Sequence, residues 1–370
     1  MTRIGILSMQ QIPNYGSFLQ AYGLKKLLES FTDVSCSFID IRPGVPLVSI
    51  ENNSNQSFLA RLPRIIMRLI KDGPFFIRDE KRKSTSYFKA FENYQYLLPR
   101  ANDDELFDVA IIGSDEVFNC CQPSWWGFST QLFGDIKNAK TIATYAGSFG
   151  HTTIEDINKY GIRDEIISAL KNVTYYSVRD KNSANIIENI NGVTPKIHID
   201  PVLAYGYKTE LSGFDEPPMS DYIIVYSYGH RITDNNEINA IKKYAKETNK
   251  ELVAIMGYYP WCDKLVSPSS PIEVLRWFKY ADAVITDTFH GTIFSAIAHR
   301  PFATFIRPSN RNKLKDLLSV LGLDSREIVD CSKLSSIMRQ PVDFYQMETR
   351  LESFRVAAHN YLNSILSRND

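Results

Sequence analysis

The chain has 370 residues, 44% of them hydrophobic and 23% charged, with 42 Lys plus Arg set against 42 Asp plus Glu. That length suits two cores rather than one, and the zero net charge gives no reason to expect a nucleic-acid partner. Five scattered cysteines (Cys36, Cys120, Cys121, Cys262, Cys331) form no CxxC pair, which argues against a bound metal or zinc site and for reduced thiols in a cytoplasm.

The chain opens on Arg3–Ser8, read as a strand rather than a secretion signal. No apolar run approaches the roughly 20 residues of a membrane span. Asn14, Tyr15, Gly16 and Ser17 follow the first strand and precede a helix over Phe18–Leu28. Gly16 permits a tight turn there. The next N–H groups either face a ligand or are capped by Asn14 or Ser17. Glu51–Ser57 (ENNSNQS) reads as a loop. In segment 57–83, Phe58, Leu59, Leu62, Ile65, Ile66, Leu69 and Ile70 alternate with Arg61, Arg64, Arg68 and Lys71, and Arg78, Lys81, Arg82 and Lys83 extend the charge. That is a basic amphipathic helix, suited either to an anionic membrane surface or to packing with a solvated face.

Strands are expected at Cys36–Asp40, Asp108–Gly113, Thr141–Ala146, Thr174–Val178 and Lys196–Ile199, then at Tyr222–Ser227, Glu251–Ile255, Ala283–Thr286 and Phe302–Ile306. Helical stretches lie between most of them, which argues parallel sheets covered on both faces. The polar, Gly- and Pro-containing stretch Leu203–Asp221 is the seam. Residues 1–214 and 215–370 then form two Rossmann-like domains facing a cleft, with the last helix, about Asp343–Leu366, crossing back over the boundary.

Candidate chemistry gathers at strand ends. After Ile111-Ile112-Gly113, Ser114 and Asp115 either contact a sugar or a catalytic His, or cap the next helix. Trp125 and Trp126 follow, for a sugar face or for core. Gly147-Ser148-Phe149-Gly150-His151 can form an anion-binding turn, with His151 as a second acid or base. Arg179 ends a strand and can fork onto a carboxylate or phosphate, or pair with Asp180. Asp200 precedes Pro201 and either orients a ligand or caps a turn. The sharpest signal is Ala281–Phe305, where a strand runs into Thr286-Asp287-Thr288 and a helix opens at Phe289-His290-Gly291. An imidazole at a helix N-terminus, at the end of a parallel strand, suits an anionic substrate and proton transfer.

Taken together, NYGSFLQAYGL, FDVAIIGSDEVFN, YAGSFG, SVRD, IDPVLA, ADAVITDTFHGTIFSAIAHRPF and RNKLKDLLSVLGLDSR resemble the polysaccharide pyruvyl transferase family over nearly the whole chain. The resemblance implies a GT-B-like α/β fold. It implies transfer of pyruvate from phosphoenolpyruvate to two hydroxyls of a sugar in a glycan, lipid-linked on this reading, with release of phosphate and no other cofactor. His290 would be the acid, working with Asp115. Arg179, Thr288, Phe289, Gly291, Ser148 and His151 fall on the donor side, and Asn14, Tyr15, Ser17 and Ser114 on the acceptor side. The setting would be capsule, exopolysaccharide or cell-wall assembly in the cytoplasm, at the inner membrane face if segment 57–83 binds lipid. Family members commonly carry Arg two residues before the His, where this chain has Thr288. Compensation is expected from the helix N-terminus, His151, Arg307 or Arg311. Two other readings fit the same architecture: a glycosyltransferase using a nucleotide-sugar, with Glu273 or Asp287 as its ribose-binding acid, and a non-catalytic glycan-binding subunit.

Overall fold

The computed structural model describes residues 1–48 and 74–367. Strands β1 (Thr2–Leu7), β2 (Val34–Phe38), β3 (Phe107–Ile112) and β4 (Ala139–Thr144) form a parallel sheet ordered β2-β1-β3-β4. Two short strands, β5 (Ser177–Val178) and β6 (Lys196–Ile197), pair in parallel and join the β4 side through the Ala143–Tyr175 and Gly147–Val178 bridges. The interior positions of β3 are apolar and buried without alternation, as a strand covered on both faces requires.

The second sheet comprises β7 (Tyr222–Ser227), β8 (Glu251–Met256), β9 (Lys264–Val266), β10 (Ala283–Thr286), β11 (Phe302–Phe305) and β12 (Glu327–Ile328), ordered β12-β11-β10-β7-β8-β9. Every pairing in it is parallel. Numbered from β7, this is the doubly wound order, with its switch point between β7 and β10. The first sheet has its own switch point between β1 and β3. Two Rossmann-like parallel sheets therefore face each other in a GT-B-like arrangement, each turning its crevice toward the other.

Helix α1 (Tyr15–Leu28) leaves β1, and α2 (Pro74–Tyr94) precedes β3. Helix α2 contains Arg78, Lys81, Arg82 and Lys83, while the remainder of the expected amphipathic helix, up to residue 73, lies outside the described residues. In the first half follow α3 (Ile154–Lys159), α4 (Arg163–Leu170), α5 (Lys181–Asn191), α6 (Pro201–Tyr205) and α7 (Lys208–Gly213). The second half holds α8 (Asn235–Thr248), α9 (Val274–Tyr280), α10 (Phe289–Ile297), α11 (Arg311–Leu321), α12 (Leu334–Arg339) and α13 (Phe344–Leu366).

One apolar core runs through both halves, joining Phe18, Leu24 and Val109 of the first to Phe278, Phe294 and Leu318 of the second. Helix α13 buries Met347, Leu351, Ala358, Tyr361, Leu362 and Ile365, a stripe at helical spacing. Its Tyr361 hydroxyl donates to the Thr144 carbonyl at 2.9 Å, so the C-terminal helix is tied to the first sheet. Among the described residues no helix is long and apolar enough to cross a membrane.

Candidate active site

A cleft of about 390 Å³ opens between the two sheets. Asn14 and Ser17 reach it from the end of β1, Asp115 and Glu116 from the end of β3, Tyr228 and Arg231 from the end of β7, and Thr288, Phe289 and His290 from the end of β10. These four strands flank the two switch points, where open α/β sheets bind ligands. His151, Lys313, Gln122, Ser309 and Asn310 also line it.

His290 is the second residue of α10. Thr288 caps that helix, its hydroxyl accepting from the Gly291 N–H at 2.9 Å and contacting the Thr286 hydroxyl at 3.0 Å. A Cβ at Gly291 would meet the Thr286 hydroxyl oxygen at 2.3 Å, so only glycine lets the helix start this close to the strand. The imidazole lies between the halves. Its Nε2 is buried without a hydrogen bond to any described residue, 3.7 Å from Asp200 Oδ2, which is an ion-pair contact and too long for a hydrogen bond. Its Nδ1 lies against α1, where a Cβ on Gly16 would approach to 2.1 Å. Gly16 thus makes room for the imidazole of the opposite half.

Behind this histidine is a buried charge cluster. Asp200 caps α6 by accepting from the Val202 N–H and also accepts from Arg179 Nη1 at 2.9 Å. Burial raises the Asp200 pKa, but His290, Arg179 and the Val202 N–H outweigh it and hold the carboxyl below its usual range. For Arg179, burial acts downward, while Asp200, Asp115, Asp180 and Glu116 around it raise the net value. Arg179 Nη1 also lies 3.6 Å from Asp115. Its Nε and Nη2 are buried without hydrogen-bond partners among the described residues, and its guanidinium stacks 4.3 Å from the Phe289 ring.

The expectation that Arg179 faces a donor in the cleft meets a different placement. Phe289 stands between them, and Arg179 lines a separate cavity of about 30 Å³ with Leu203 and Leu317. The physical reason is the four neighbouring carboxylates Asp200, Asp115, Asp180 and Glu116, which draw the guanidinium inward.

The other expected residues divide by burial. Asn14 caps α1, accepting from the Gly16 and Ser17 N–H groups, and its amide donates across the cleft to the Tyr228 hydroxyl at 3.2 Å. Ser17 donates to Asp115 Oδ2 at 2.9 Å. Asp115 has φ of 70°, which turns the chain at the end of β3 so that no helix is capped there. His151 is exposed on the rim, with Nδ1 3.2 Å from the Asn119 amide. Three residues lie off the cleft. Tyr15 is core, packed edge-on to Tyr87. Ser114 is buried and donates to Gln20 Oε1 at 2.7 Å. Ser148 is buried and donates to Asp180 at 2.5 Å. Trp126 is core, and Trp125 is exposed away from the lining residues.

The expected compensation for Thr288 also resolves differently. Arg307 is held bidentately by Glu237 and by Asp287, so neither Arg307 nor Asp287 is open to a ligand. Glu273 is occupied by Ser269 and Arg276. Two other cations line the cleft, Arg231 and Lys313; Lys313, in the first turn of α11, pairs with Glu116 of the first half. Burial raises the Glu116 pKa, but Lys313 and the Asn119 amide outweigh it and hold the carboxyl down to about 2. Lys313, Glu116, Tyr228 and Arg231 were not foreseen, because each is brought to the cleft by contacts distant in sequence. For Lys313 a signal existed in the RNKLK run. Among the described residues no three His, Cys, Asp or Glu side chains converge to hold a metal ion.

The arrangement can protonate an anion-bearing substrate from one wall and accept hydroxyl protons on the other. The fold is similar to that of UDP-GlcNAc 2-epimerase from Neisseria meningitidis bound to UDP-GlcNAc, at 9% identity with 99% of each chain covered and a TM-score of 0.47. It is also similar to a putative UDP-N-acetylglucosamine 2-epimerase from Listeria monocytogenes (11% identity, 99% of this chain and 95% of that one, TM-score 0.49). A third likeness is to Phytolacca americana UGT2 complexed with UDP-2fluoro-glucose and pterostilbene (9% identity, 100% of each chain, TM-score 0.43). No curated protein matches the chain. The family model for polysaccharide pyruvyl transferase matches residues 14–310, from the Asn14 cap on one wall of the cleft to Asn310 on the other, and the chain belongs to that family.

Proposed function

We propose that this protein transfers pyruvate from phosphoenolpyruvate to two hydroxyls of a sugar, forming a cyclic ketal and releasing phosphate. The observation that carries the reading is His290: an imidazole at a helix N-terminus, in a cleft, with a buried carboxylate 3.7 Å from Nε2. The imidazole is the side chain best suited to give a proton at such a spot. His290 protonates the methylene carbon of the enol, which becomes the methyl group. The first sugar hydroxyl adds to the resulting cationic carbon, phosphate leaves, and the second hydroxyl closes the ketal. One hydroxyl proton replaces the one His290 gave, and the other leaves with phosphate. Asp115, held by Ser17, is the carboxylate placed to take a hydroxyl proton. Lys313 and the first turn of α10 supply positive potential for the donor's anions. Arg179, sealed behind Phe289, acts through Asp115 and Asp200 in this conformation.

The acceptor is a glycan sugar in capsule, exopolysaccharide or cell-wall assembly, carried on a lipid on this reading. The basic residues Arg61, Arg64 and Arg68 support contact with an anionic membrane surface. Changing all three to Glu should abolish sedimentation with anionic liposomes, and undiminished sedimentation would remove that part. The reaction itself is tested by phosphate release from phosphoenolpyruvate over galactose-, mannose- and glucosamine-type acceptors, free and lipid-linked. Sugar-dependent phosphate with the mass gain of a pyruvyl ketal supports it. No release across the panel, together with no thermal shift by phosphoenolpyruvate, overturns it.

A further inference from the structure

Four cationic or protonatable side chains line the cleft, and three are engaged. Lys313 pairs with Glu116, His290 lies 3.7 Å from Asp200, and His151 lies 3.2 Å from the Asn119 amide. Arg231 has no ion pair and no side-chain hydrogen bond to any described residue. An arginine left unpaired in a cleft that also holds two carboxylates is a donor fork awaiting an oxyanion.

The fork is held in place. Its guanidinium carbon lies 4.7 Å from the centre of the Tyr228 ring. The Tyr228 hydroxyl is in turn fixed by the Asn14 amide of the opposite half. The loop carrying both residues is pinned from beneath by Tyr259, which is buried. Its hydroxyl donates to the Tyr228 carbonyl at 2.6 Å and accepts from the Ile232 N–H at 3.3 Å. His230 turns the loop through φ of 64°, and the Arg231 N–H closes it onto the Tyr228 carbonyl. The stacked face and the pinned backbone remove much of the side chain's freedom before any ligand arrives, so less is lost on binding.

We propose that Arg231, on its Tyr228 platform, is a phosphoryl-binding residue of the cleft. The phosphoryl group has two sources: the phosphate ester of the donor, or a phosphate that links the acceptor sugar to its carrier. Only the choice of sources rests on the transferase reading above; the recognition chemistry does not.

The test uses the full chain and its Arg231→Ala and Arg231→Lys variants, with binding of inorganic phosphate, phosphoenolpyruvate and a sugar 1-phosphate measured by calorimetry. Losing a charge-assisted bidentate contact should weaken phosphate binding by roughly 10- to 100-fold in Arg231→Ala. Arg231→Lys should recover part of that loss and shows whether the loop still folds. A loss confined to phosphoenolpyruvate and inorganic phosphate identifies the donor as the source. A loss confined to the sugar 1-phosphate and inorganic phosphate identifies the acceptor. Unchanged binding of all three ligands by Arg231→Ala overturns the proposal, as does a wild-type chain that binds none of them. Phosphate binding that depends on Arg231, without ketal formation on any acceptor, would sink the transferase reading and leave this one standing.

Discussion

The two walls of the cleft come from similar parallel sheets and carry opposite chemistry. The first half presents Ser17, Asp115 and Glu116, which accept protons or hydroxyl hydrogens. The second presents His290, Lys313, Arg231 and the N-terminus of α10, which donate or attract anions. Neither wall is complete alone. Glu116 settles Lys313, Asp200 settles His290, and Asn14 settles Tyr228, each across the boundary. Two sheets built by the same rules become a directional site because Lys313 and His290 find their counter-charges on the other half.

The sharpest way to break that comparison is at Asp200, which belongs to the first half but serves the second. Asp200→Asn leaves Arg179 buried beside a neutral amide. Removing one partner of a buried pair typically costs about 3–5 kcal/mol, so the unfolding free energy from urea titration should fall by that amount and turnover should fall with it. His290→Ala separates the two effects. It leaves the Arg179–Asp200 pair intact, so stability should change little while kcat falls by ~10²–10⁴-fold, the usual worth of a positioned proton donor. Near-normal turnover would dismiss His290 as the acid.

A smaller effect is expected where the walls merely touch. Gly16→Ala places a methyl group where Nδ1 of His290 now lies, 2.1 Å away. The imidazole must move, and a displacement of about 1 Å can cost ~10²-fold in rate. Because α1 should tolerate alanine as a helix former, kcat is expected to drop with the circular dichroism spectrum unchanged. A Gly16→Ala enzyme with wild-type kcat would show that the two walls do not need this contact.

The sequence made the scaffold readable and the site only in part, for reasons visible in particular residues. Strands at Tyr222–Ser227 and Ala283–Thr286 were evident because apolar runs between polar turns leave few other conformations. The edge strands Lys264–Val266 and Glu327–Ile328 escaped, being two or three residues long and half polar. Asn14 and Thr288 were legible as cap positions because caps act on the next few residues. Asp200 was legible as a turn residue, but its hydrogen bond to Arg179, 21 residues away, and its ion-pair contact with His290 of the other half leave no local trace. Arg179 shows the same limit in reverse. Its place at a strand end suggested a ligand, and the acids that draw it inward are Asp200, Asp115, Asp180 and Glu116, of which only Asp180 is its neighbour in sequence. His198, just past the end of β6 and near other site candidates in sequence, is tucked beside Ser177 and Tyr361, where burial lowers its pKa to about 4.

The mildest break is at the pair joining Glu116 to Lys313. Both side chains are 20% exposed, so the pair lies between a surface bridge and a buried one and should be worth about 1–2 kcal/mol. Its pH dependence gives the sign. With the folded carboxyl at about 2 and an ordinary glutamate near ~4.3, the unfolded chain takes up the proton first as the solution is acidified. The pair's contribution is therefore complete above pH ~4.3 and fades toward the folded value. Glu116→Gln should lower stability by that amount at pH 7 and flatten the acid limb of the stability curve between those two values. In the same variant Lys313 loses its counter-charge while keeping its place in the cleft, so anion affinity should hold or rise as stability falls. If affinity falls together with stability, Glu116 is positioning Lys313 for the ligand, and the two walls depend on each other for binding as well as for folding.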